Sequence, residues 1–413
     1  MSREHVLVLV EGLPYPFDVR VHAQVQALTA AGYRVTVAGP TGYGFEAPAE
    51  LLDGVRVLRY RAPPGGRGAL GYLREYATAW LRLTRLARRV AREESVDLVL
   101  VCNPPDSLMA IAVSVARHGA GILLDDREIS PELFEAKFGR RGLLYQLLLA
   151  CERYAFRHCD AVITVSEPCA EIARTRGGVA PSRIFHVGNG PDPQRIFAVA
   201  PRPELRRGRE HLVLWLGAMS SQEGLGRLID VAEHVVHERG RHDVSFALVG
   251  PGDAHEDLRR EVLRRGLQEF VLVSGPVEGD LVRAYLSTAD VCVGVDVRNS
   301  MNDRAAMRKV FEYMAVGRAV VQFPLAEMRR ICGDATLYAR DGDTSDFAAL
   351  VCALLDDLSL RERLGAAARE RAHRGLMWPQ QVPALLDAVA TAISGRAEVA
   401  GAGLVVQPGL PPA

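Results

Sequence analysis

Residues 296–323, DVRNSMNDRAAMRKVFEYMAVGRAVVQF, place a cation and a carboxylate on one face of a predicted helix. Arg308, Lys309 and Glu312 lie at i, i+1 and i+4, and Gly317 ends the helical pattern. A cation in the first turns of a helix suits a diphosphate, because the helix dipole also attracts an anion there. A carboxylate one turn later suits the paired hydroxyls of a ribose. A surface salt bridge between Arg308 and Glu312 explains the same spacing and stays open.

Two neighbouring loops could serve the same ligand. Asn302 and Asp303 are good N-caps, so we expect the helix to begin near Asn302–Arg304 and to end at about Val316. The loop that follows the strand predicted at 211–216 would offer free backbone N–H groups to a phosphate. The alternative is that this loop is only a tight turn between a strand and a helix, which needs the same small residues. The residues of this loop that we single out first are Gly217, Ala218 and Met219.

A literal G-x-G-x-x-G pattern occurs at Gly66, Gly68 and Gly71. In a dinucleotide-binding fold these glycines would follow a strand directly, with an acidic residue about 20 positions later at the next strand. Here several loop residues separate strand and helix, and the position about 20 residues on falls at a helix end. A loop therefore explains the pattern better than an NAD or FAD site.

A scaffold must hold these residues in place, and the sequence predicts two similar domains that could do so. Short β-branched runs alternate with helical patterns, as in a doubly wound parallel sheet. The predicted strands of the first sheet span 5–10, 35–38, 55–60, 97–101, 121–124 and 161–165. Those of the second sheet span 211–216, 244–249, 270–273, 291–295 and 319–323. We therefore predict an α/β protein with two Rossmann-like, doubly wound domains facing a cleft.

A stretch rich in Pro, Gly, Asn and Arg, residues 181–209, separates the two patterns and is typical of a linker region. We predict a first domain at 1–190 and a linker at 191–209. The second domain is predicted at 210–395, with its last helix packing back toward the first domain. A flexible tail is predicted at 396–413.

Polar residues follow the strands of the first domain at the edge where ligands bind in such sheets. Arg127 and Glu128 are adjacent, and a simple ion pair between them is an open alternative to a role in binding. The candidate acceptor-side residues are Glu11, Gly12, Arg20, His22, Asn103, Asp106, Asp126 and Glu128.

Composition narrows the class of partner. Among 413 residues, 50 Lys and Arg balance 50 Asp and Glu, so we expect no nucleic-acid partner. Seven cysteines without C-x-x-C spacing indicate neither a zinc site nor a disulfide framework. We expect a cytoplasmic protein, because neither a signal peptide nor an apolar run of about 18 residues is evident. Residues 73–92 form a basic amphipathic pattern that would either contact the inner face of a membrane or pack on its own sheet.

Together with HVGNGPD near residue 190, LVGPGD after 244–249 and STADVCVGV before the polar loop, these motifs resemble the retaining GT-B glycosyltransferases of family four. The resemblance covers the whole chain, weakly in the first half and specifically over residues 217–338. It implies that the second domain binds a sugar nucleotide, most often a UDP-sugar, and that the first binds an acceptor. The implied nucleotide-binding residues are Gly217, Ala218, Met219, Gln222, Gly250, Pro251, Asn302, Asp303, Lys309 and Glu312.

The sequence also departs from the family pattern. The second glutamate of the E-x7-E motif is Glu312, which by resemblance holds the ribose, but the first position is Arg304. Ala218 and Glu223 replace the arginine and lysine of the usual G-R-L-x-x-x-K-G loop. The chain resembles a subset of the family that has an ND-x5-K-x2-EYMA motif and a Q-[DE]-G loop. This resemblance implies that Lys309 neutralises the phosphate charge in place of the missing lysine.

The resemblance implies a glycosyltransferase that needs no cofactor and no metal. Its catalytic residues would be Lys309, Arg304 and Arg127, although Arg127 stands where a D-x-H-[DE]-x-x-PE segment of the subset has histidine. The partners would be a nucleotide-sugar donor and a small-molecule, glycan or lipid-linked acceptor. A non-catalytic GT-B partner or sensor and a UDP-sugar 2-epimerase remain alternatives.

Overall fold

The computed structural model describes residues 4–62, 68–117, 119–139, 141–220 and 223–402. The chain forms two compact units, each with its own sheet. The first unit runs to Val187 and resumes at Val382, and the second spans Gly188–Gln381. Within the described ranges, no helix is both long enough and apolar enough to cross a membrane.

Eight strands build the sheet of the first unit: His5–Leu9 (β1), Arg34–Pro40 (β2), Ala49–Leu52 (β3), Val55–Tyr60 (β4), Leu98–Cys102 (β5), Gly121–Asp126 (β6), Ala161–Thr164 (β7) and Ile184–His186 (β8). Their order is β3-β4-β2-β1-β5-β6-β7-β8, and β3 pairs antiparallel with β4. The central strands β1, β5, β6 and β7 are buried at every residue, as expected for a parallel sheet covered on both faces. The chain direction across the sheet reverses between β1 and β5, which places a ligand-binding switch point at their carboxyl ends.

The helices of the first unit cover this sheet. Asp18 caps the first of them, because its side chain accepts from the amides of Arg20 and Val21. The helices are Val19–Ala30 (α1), Gly68–Glu93 (α2), Met109–Ala116 (α3), Ser130–Phe138 (α4), Leu143–His158 (α5) and Glu167–Thr175 (α6), joined by the C-terminal Trp378–Ala402.

Six parallel strands build the second unit: His211–Leu216 (β9), Val244–Val249 (β10), Val271–Val273 (β11), Val291–Gly294 (β12), Ala319–Gln322 (β13) and Leu337–Tyr338 (β14). Their order is β11-β10-β9-β12-β13-β14, so the switch point lies between β9 and β12. The helices are Leu225–Glu233 (α7), His255–Arg264 (α8), Gly279–Thr288 (α9), Arg308–Ala315 (α10), Ala326–Cys332 (α11), Thr344–Asp356 (α12) and Leu358–Gly375 (α13). The last helix, Trp378–Ala402 (α14), begins in this unit and belongs to the first unit from Val382 onward.

Side-chain alternation along β9 builds two apolar layers in the second unit. Val213 and Trp215 enter the layer formed with α7, α8 and α12. Leu212 and Leu214 enter the opposite layer, which includes α10 and α13. The phenolic oxygen of Tyr313 accepts from the amide of Leu216 at 2.8 Å and fixes α10 against the end of β9. The switch point is therefore held between a helix and a strand that share a packed core.

The predicted strands are confirmed with ends shifted by up to two residues, but three short strands, β3, β8 and β14, were not predicted. β8 lies inside the Pro- and Gly-rich stretch 181–209 and pairs with β7 over three residues. Such short edge strands carry too few residues for a period of two to be visible.

Two predicted boundaries differ from the structure. Residues 191–209, predicted as a linker, lie within the second compact unit. Helix α14 continues through residues 396–402, which were assigned to a flexible tail, and residues 403–413 lie outside the described ranges. A Cβ at Gly121 of β6 would overlap the carbonyl oxygen of Ala392, so α14 approaches the backbone of the first sheet closely.

Candidate functional site

The polar loop that leads into α10 folds differently from the prediction. Asn302–Arg304 forms a separate 3-10 turn, and α10 begins only at Arg308. The predicted capping side chains are used elsewhere, which explains the late start. Asn302 Nδ2 donates to the carbonyl of Val297 at 2.7 Å, and Asp303 accepts from the amide of Ala326 at 3.1 Å. The two residues therefore hold the loop after β12 in place and do not cap the helix.

Lys309 is the centre of a buried cluster at the switch point. Its Nζ lies 2.5 Å from Glu223 Oε2 and 2.8 Å from Asp296 Oδ1, and 5.0 Å from the ring centre of Trp215. Burial lowers the pKa of Lys309, but the two carboxylates outweigh that effect and the pKa lies above its usual value. Lys309 is thus a charged ammonium, as predicted. Two of its three N–H donors are held by these carboxylates.

We call Glu223, Asp296 and Lys309 the lysine triad. With all three groups ionised its net charge is negative. The exposed fraction of the side chain is 28% for Glu223, 8% for Lys309 and 5% for Asp296, so Glu223 is the member nearest to solvent. Burial, reinforced by Asp296, raises the pKa of Glu223 despite the opposing effect of Lys309.

Glu312, the predicted ribose ligand, lies one turn beyond Lys309 with its side chain 12% exposed. Arg308 Nε donates to Glu312 Oε1 at 3.1 Å, so the salt bridge considered from the sequence is present. No residue in the described ranges donates to Oε2, which leaves that oxygen available. Partial burial and the positive charge of Arg308 lower the pKa of Arg195, which indicates that Arg195 lies near this pair. Its sequence context, outside any recognised motif, gave no signal for this position.

The glycine-containing loops after β9 and β10 pack against each other. A Cβ at Gly250 would overlap the carbonyl oxygen of Gly217, and both glycines have positive φ. Gly217 N donates to Val249 O, and Met219 N donates to Pro251 O at 2.6 Å. These amides, predicted to be free for a phosphate, are already used. The side chain of Met219 is buried in the core, while Ala218 is exposed.

Arg304 lies on the 3-10 turn and donates to the carbonyl of Ser300, so it does not share a helix with Glu312. The E-x7-E spacing therefore spans a turn and a helix in this chain. Gln222 lies outside the described ranges, as does Gly66 of the G-x-G-x-x-G pattern.

In the first unit, two arginines near the switch point are held by carboxylates. Arg20 Nη2 lies 2.7 Å from Asp125 Oδ1, and Arg127 Nη1 lies 2.8 Å from Asp18 Oδ2. Burial would raise the pKa of Asp18, but Arg127 outweighs it and the pKa lies below its usual value. The suggested pair between Arg127 and Glu128 is wrong, because Arg127 turns to the loop before α1 instead.

Asn103 joins three of the predicted acceptor-side residues into one buried network. Its Nδ2 donates to Asp106 Oδ1 at 2.9 Å and to Asp126 Oδ1 at 2.8 Å. Its Oδ1 accepts from the amide of Arg127 at 2.7 Å. Burial raises the pKa of Asp106, and burial with the neighbouring carboxylates raises that of Asp126 well above its usual value. These three residues were expected to face an acceptor, but they are buried beneath the loop surface.

A second buried network lies next to it. Arg176, the residue that follows α6, donates to Glu132 Oε1 at 2.7 Å and to Glu152 Oε1 at 2.6 Å. Burial raises the pKa of Glu152 to about 7 in spite of the arginine, and nearby Asp106 adds to the effect. Glu132, the glutamate of the PE segment, is therefore ion-paired with Arg176 of the same unit.

The remaining predicted acceptor-side residues stay closer to the surface. Glu11 and Gly12 follow β1, and Gly12 has a φ of 98° that favours glycine. His22 lies in the first turns of α1, with its ring centre 5.7 Å from that of Tyr15. Glu11, His22 and Glu128 are each partly exposed.

One group of side chains in the described ranges has metal-ligand spacing. The ligand atoms of Glu210, His211 and Asp243 lie within 4.8 Å of one another. Both oxygens of Asp243 accept from Arg241, at 2.8 and 2.9 Å, so its charge is already paired. The group lies at the start of β9 and β10, at the opposite edge of the sheet from the lysine triad, and it does not serve the candidate site.

Comparison with known families matches both units. Residues 210–357 match the family model "Glycosyl transferases group 1", and residues 18–190 match "Glycosyl transferase 4-like domain". The chain belongs to the group 1 glycosyltransferases with the GT-B fold. This confirms the GT-B fold and the glycosyltransferase assignment that the motifs indicated.

Curated relatives include two enzymes of Streptomyces kanamyceticus. The chain is 27% identical over 229 residues to its 2-deoxystreptamine glucosyltransferase, covering 52% of this chain and 56% of the relative. It is 25% identical over 221 residues to its alpha-D-kanosaminyltransferase, covering 52% and 55%. The matched stretch thus spans about half the length of each relative.

Solved structures share the fold at low sequence identity. Sucrose-phosphate synthase from Thermosynechococcus elongatus superimposes with a TM-score of 0.76 at 16% identity, covering 97% of this chain and 100% of that chain. HepE of Anabaena, crystallised with UDP-glucose, gives a TM-score of 0.68 at 16% identity, covering 96% and 99%. At this identity the likeness shows the fold alone.

Proposed function

We propose that the protein is a retaining glycosyltransferase that moves a sugar from a UDP-sugar to a hydroxyl or amine of an acceptor. The observation that carries the proposal is the placement of Lys309 and Glu312 on α10, at the switch point between β9 and β12. Ligands bind at such points in doubly wound sheets, and these two side chains match a diphosphate and a ribose. The proposal includes a cytoplasmic location and catalysis without a metal or cofactor.

In this mechanism the second unit binds the donor. Glu312 Oε2 would accept from the ribose hydroxyls. The ammonium of Lys309 has three N–H donors, of which two point to Glu223 and Asp296, so the third would contact the diphosphate. That contact would strengthen as negative charge develops on the leaving diphosphate, and this kind of stabilisation is usually the largest catalytic effect.

The chemical step would use the leaving group as the base. As the bond between the anomeric carbon and the diphosphate oxygen breaks, the acceptor oxygen bonds to that carbon on the same face. Its proton passes to the departing phosphate oxygen. The configuration at the anomeric carbon is then retained, and no side chain has to act as nucleophile.

The acceptor is proposed as a small polar molecule. Support comes from the two relatives, one named as a glucosyltransferase of 2-deoxystreptamine and the other as an alpha-D-kanosaminyltransferase. A lipid-linked acceptor with membrane contact through α2 remains the alternative that the sequence raised. The exposed arginines of α2, including Arg85 and Arg88, are the groups that would contact anionic lipid.

The proposal is tested by incubating the full chain with UDP-glucose and other nucleotide sugars, with and without 2-deoxystreptamine. UDP release that depends on the acceptor, and a product of unchanged anomeric configuration by NMR, are expected. Lys309→Ala should lower turnover by about a hundredfold or more, whereas Arg264→Ala on exposed α8 should not. Absence of turnover with every donor would remove the transferase assignment.

A non-catalytic sensor is the second candidate, and the lysine triad favours it. Two carboxylates hold the cation that should bind the donor, and Arg304 occupies the position of a glutamate. A sensor would bind a nucleotide sugar without releasing UDP in the same assay. An epimerase would instead produce the C2 epimer of the donor sugar.

A further inference from the structure

The net charge of the lysine triad opposes the binding of the proposed diphosphate ligand. A diphosphate carries negative charge, and the triad that would receive it is itself negative when all three groups are ionised. A carboxylate beside a diphosphate opposes binding, because like charges at short range repel strongly where water is excluded.

The geometry identifies which member of the triad must change. Asp296 lies in the loop after β12, is almost completely buried and bonds to Lys309 Nζ at 2.8 Å. Glu223 lies on the loop after β9, is the most exposed of the three and bonds to the same nitrogen at 2.5 Å. A ligand that reaches Lys309 from solvent therefore meets Glu223. The charged groups that act most strongly on Glu223 are Lys309 and Asp296.

We propose that Glu223 takes up a proton when the donor binds, and that its neutral carboxylic acid donates a hydrogen bond to the diphosphate. This rests on the proposed function and adds a donor-binding residue to it. A neutral carboxylic acid has one O–H donor, so Glu223 would then offer the diphosphate a hydrogen bond in place of a negative charge. The proton comes from solvent, and Lys309 keeps its bond to Asp296 and its positive charge.

The ligand-free protein is already prepared for this change. Burial and Asp296 raise the pKa of Glu223 above its usual value, so protonation requires less free energy than at an exposed glutamate. A bound diphosphate would raise that pKa further. Between the two values the bound state holds more protons than the free state, so affinity falls as pH rises above the pKa of the free protein.

The test measures UDP-glucose binding by isothermal titration calorimetry in two buffers of different ionisation enthalpy. The pyrophosphate of this ligand is a diester and does not titrate near neutral pH. We expect uptake of about one proton per UDP-glucose and an affinity that falls by up to about tenfold per pH unit above the pKa of Glu223. Glu223→Gln keeps an N–H donor at the same place and should bind with no proton uptake and no pH dependence.

Glu233→Gln is the matched control, because Glu233 is an ion-paired glutamate of the same unit that bonds to Arg265, the residue that follows α8. It should behave as the parent protein does. Binding by the parent without proton uptake, or uptake unchanged in Glu223→Gln, would overturn the role of Glu223 and leave the proposed function standing. Binding that appears only with Mg²⁺ would also overturn it, because the carboxylates would then hold a cation. No binding of UDP-glucose or any other nucleotide sugar by parent and variants would overturn both.

Discussion

Replacing Lys309 by methionine tests the lysine triad directly. Methionine has a similar length and removes the charge, so Asp296 and Glu223 lose their shared cation while the local volume changes little. Removing one partner of a buried ion pair costs about 3–5 kcal/mol, because the remaining charge stays in a poorly solvated position. Glu223 is partly exposed and regains some solvation, so we expect a loss of about 3 kcal/mol.

For a unit of this size, such a loss corresponds to a fall in Tm of roughly 6–12 °C. The fall should be largest at neutral and alkaline pH, where both carboxylates carry charge. It should shrink at acidic pH, because protonation removes the unpaired charges. Thermal unfolding of parent and variant, followed by circular dichroism across pH, measures both effects.

A triple variant separates stability from function. Lys309→Met combined with Glu223→Gln and Asp296→Asn removes all three charges and should recover most of the lost stability. It should not recover turnover, because the cation proposed to stabilise the leaving diphosphate is still absent. A Tm of Lys309→Met equal to that of the parent would refute the buried triad. Full activity in either variant would refute the catalytic role of Lys309.

Three further substitutions test other parts of the structure. Glu152→Gln should stabilise the protein by roughly 2–3 kcal/mol above pH 8 and by little below pH 4.5. The reason is that the pKa of Glu152 is raised to about 7, so the free energy of unfolding of the parent protein falls as pH rises through that value. Measuring the Tm of parent and variant against pH checks this. Gly250→Ala should lower Tm by more than about 5 °C, because its Cβ overlaps the carbonyl of Gly217 and its φ is positive; circular dichroism checks it. Glu312→Gln should weaken UDP binding by about tenfold with little change in Tm, measured by calorimetry.

The scaffold was predictable because its signals are local. Buried parallel strands appear as short β-branched runs, and the central strands of both sheets were located to within two residues. The three missed strands lie at or near sheet edges and have two to four residues. The start of α10 was misplaced for a different reason. Asn302 and Asp303 have side chains suited to N-caps. In the structure these side chains bond to the backbone of Val297 and Ala326 and do not cap α10.

The residues of the donor site were recognisable, but their partners were not. The pattern around Lys309 identified a cation on a helix beside the switch point. Its two acceptors come from separate loops, with Glu223 lying 86 positions away in the sequence and Asp296 lying 13 positions away. No periodicity relates these positions, so only the fold reveals that the cation is compensated. The same limit applies to Arg195, which lies near the Arg308–Glu312 pair but belongs to no motif recognised in the sequence.

The first unit shows why polar residues at the carboxyl ends of strands are not all ligand contacts. Asp106 and Asp126 occupy such positions, but a buried carboxylate persists only when it is hydrogen-bonded or protonated. Asn103 provides the hydrogen bonds, and the raised pKa values favour protonation. The same asparagine accepts from the amide of Arg127, and its carbonyl accepts from Arg127 Nε at 2.8 Å. The buried carboxylates thus fix the backbone that carries Arg127, and we expect acceptor contacts to come from the partly exposed residues beside it, such as Glu128.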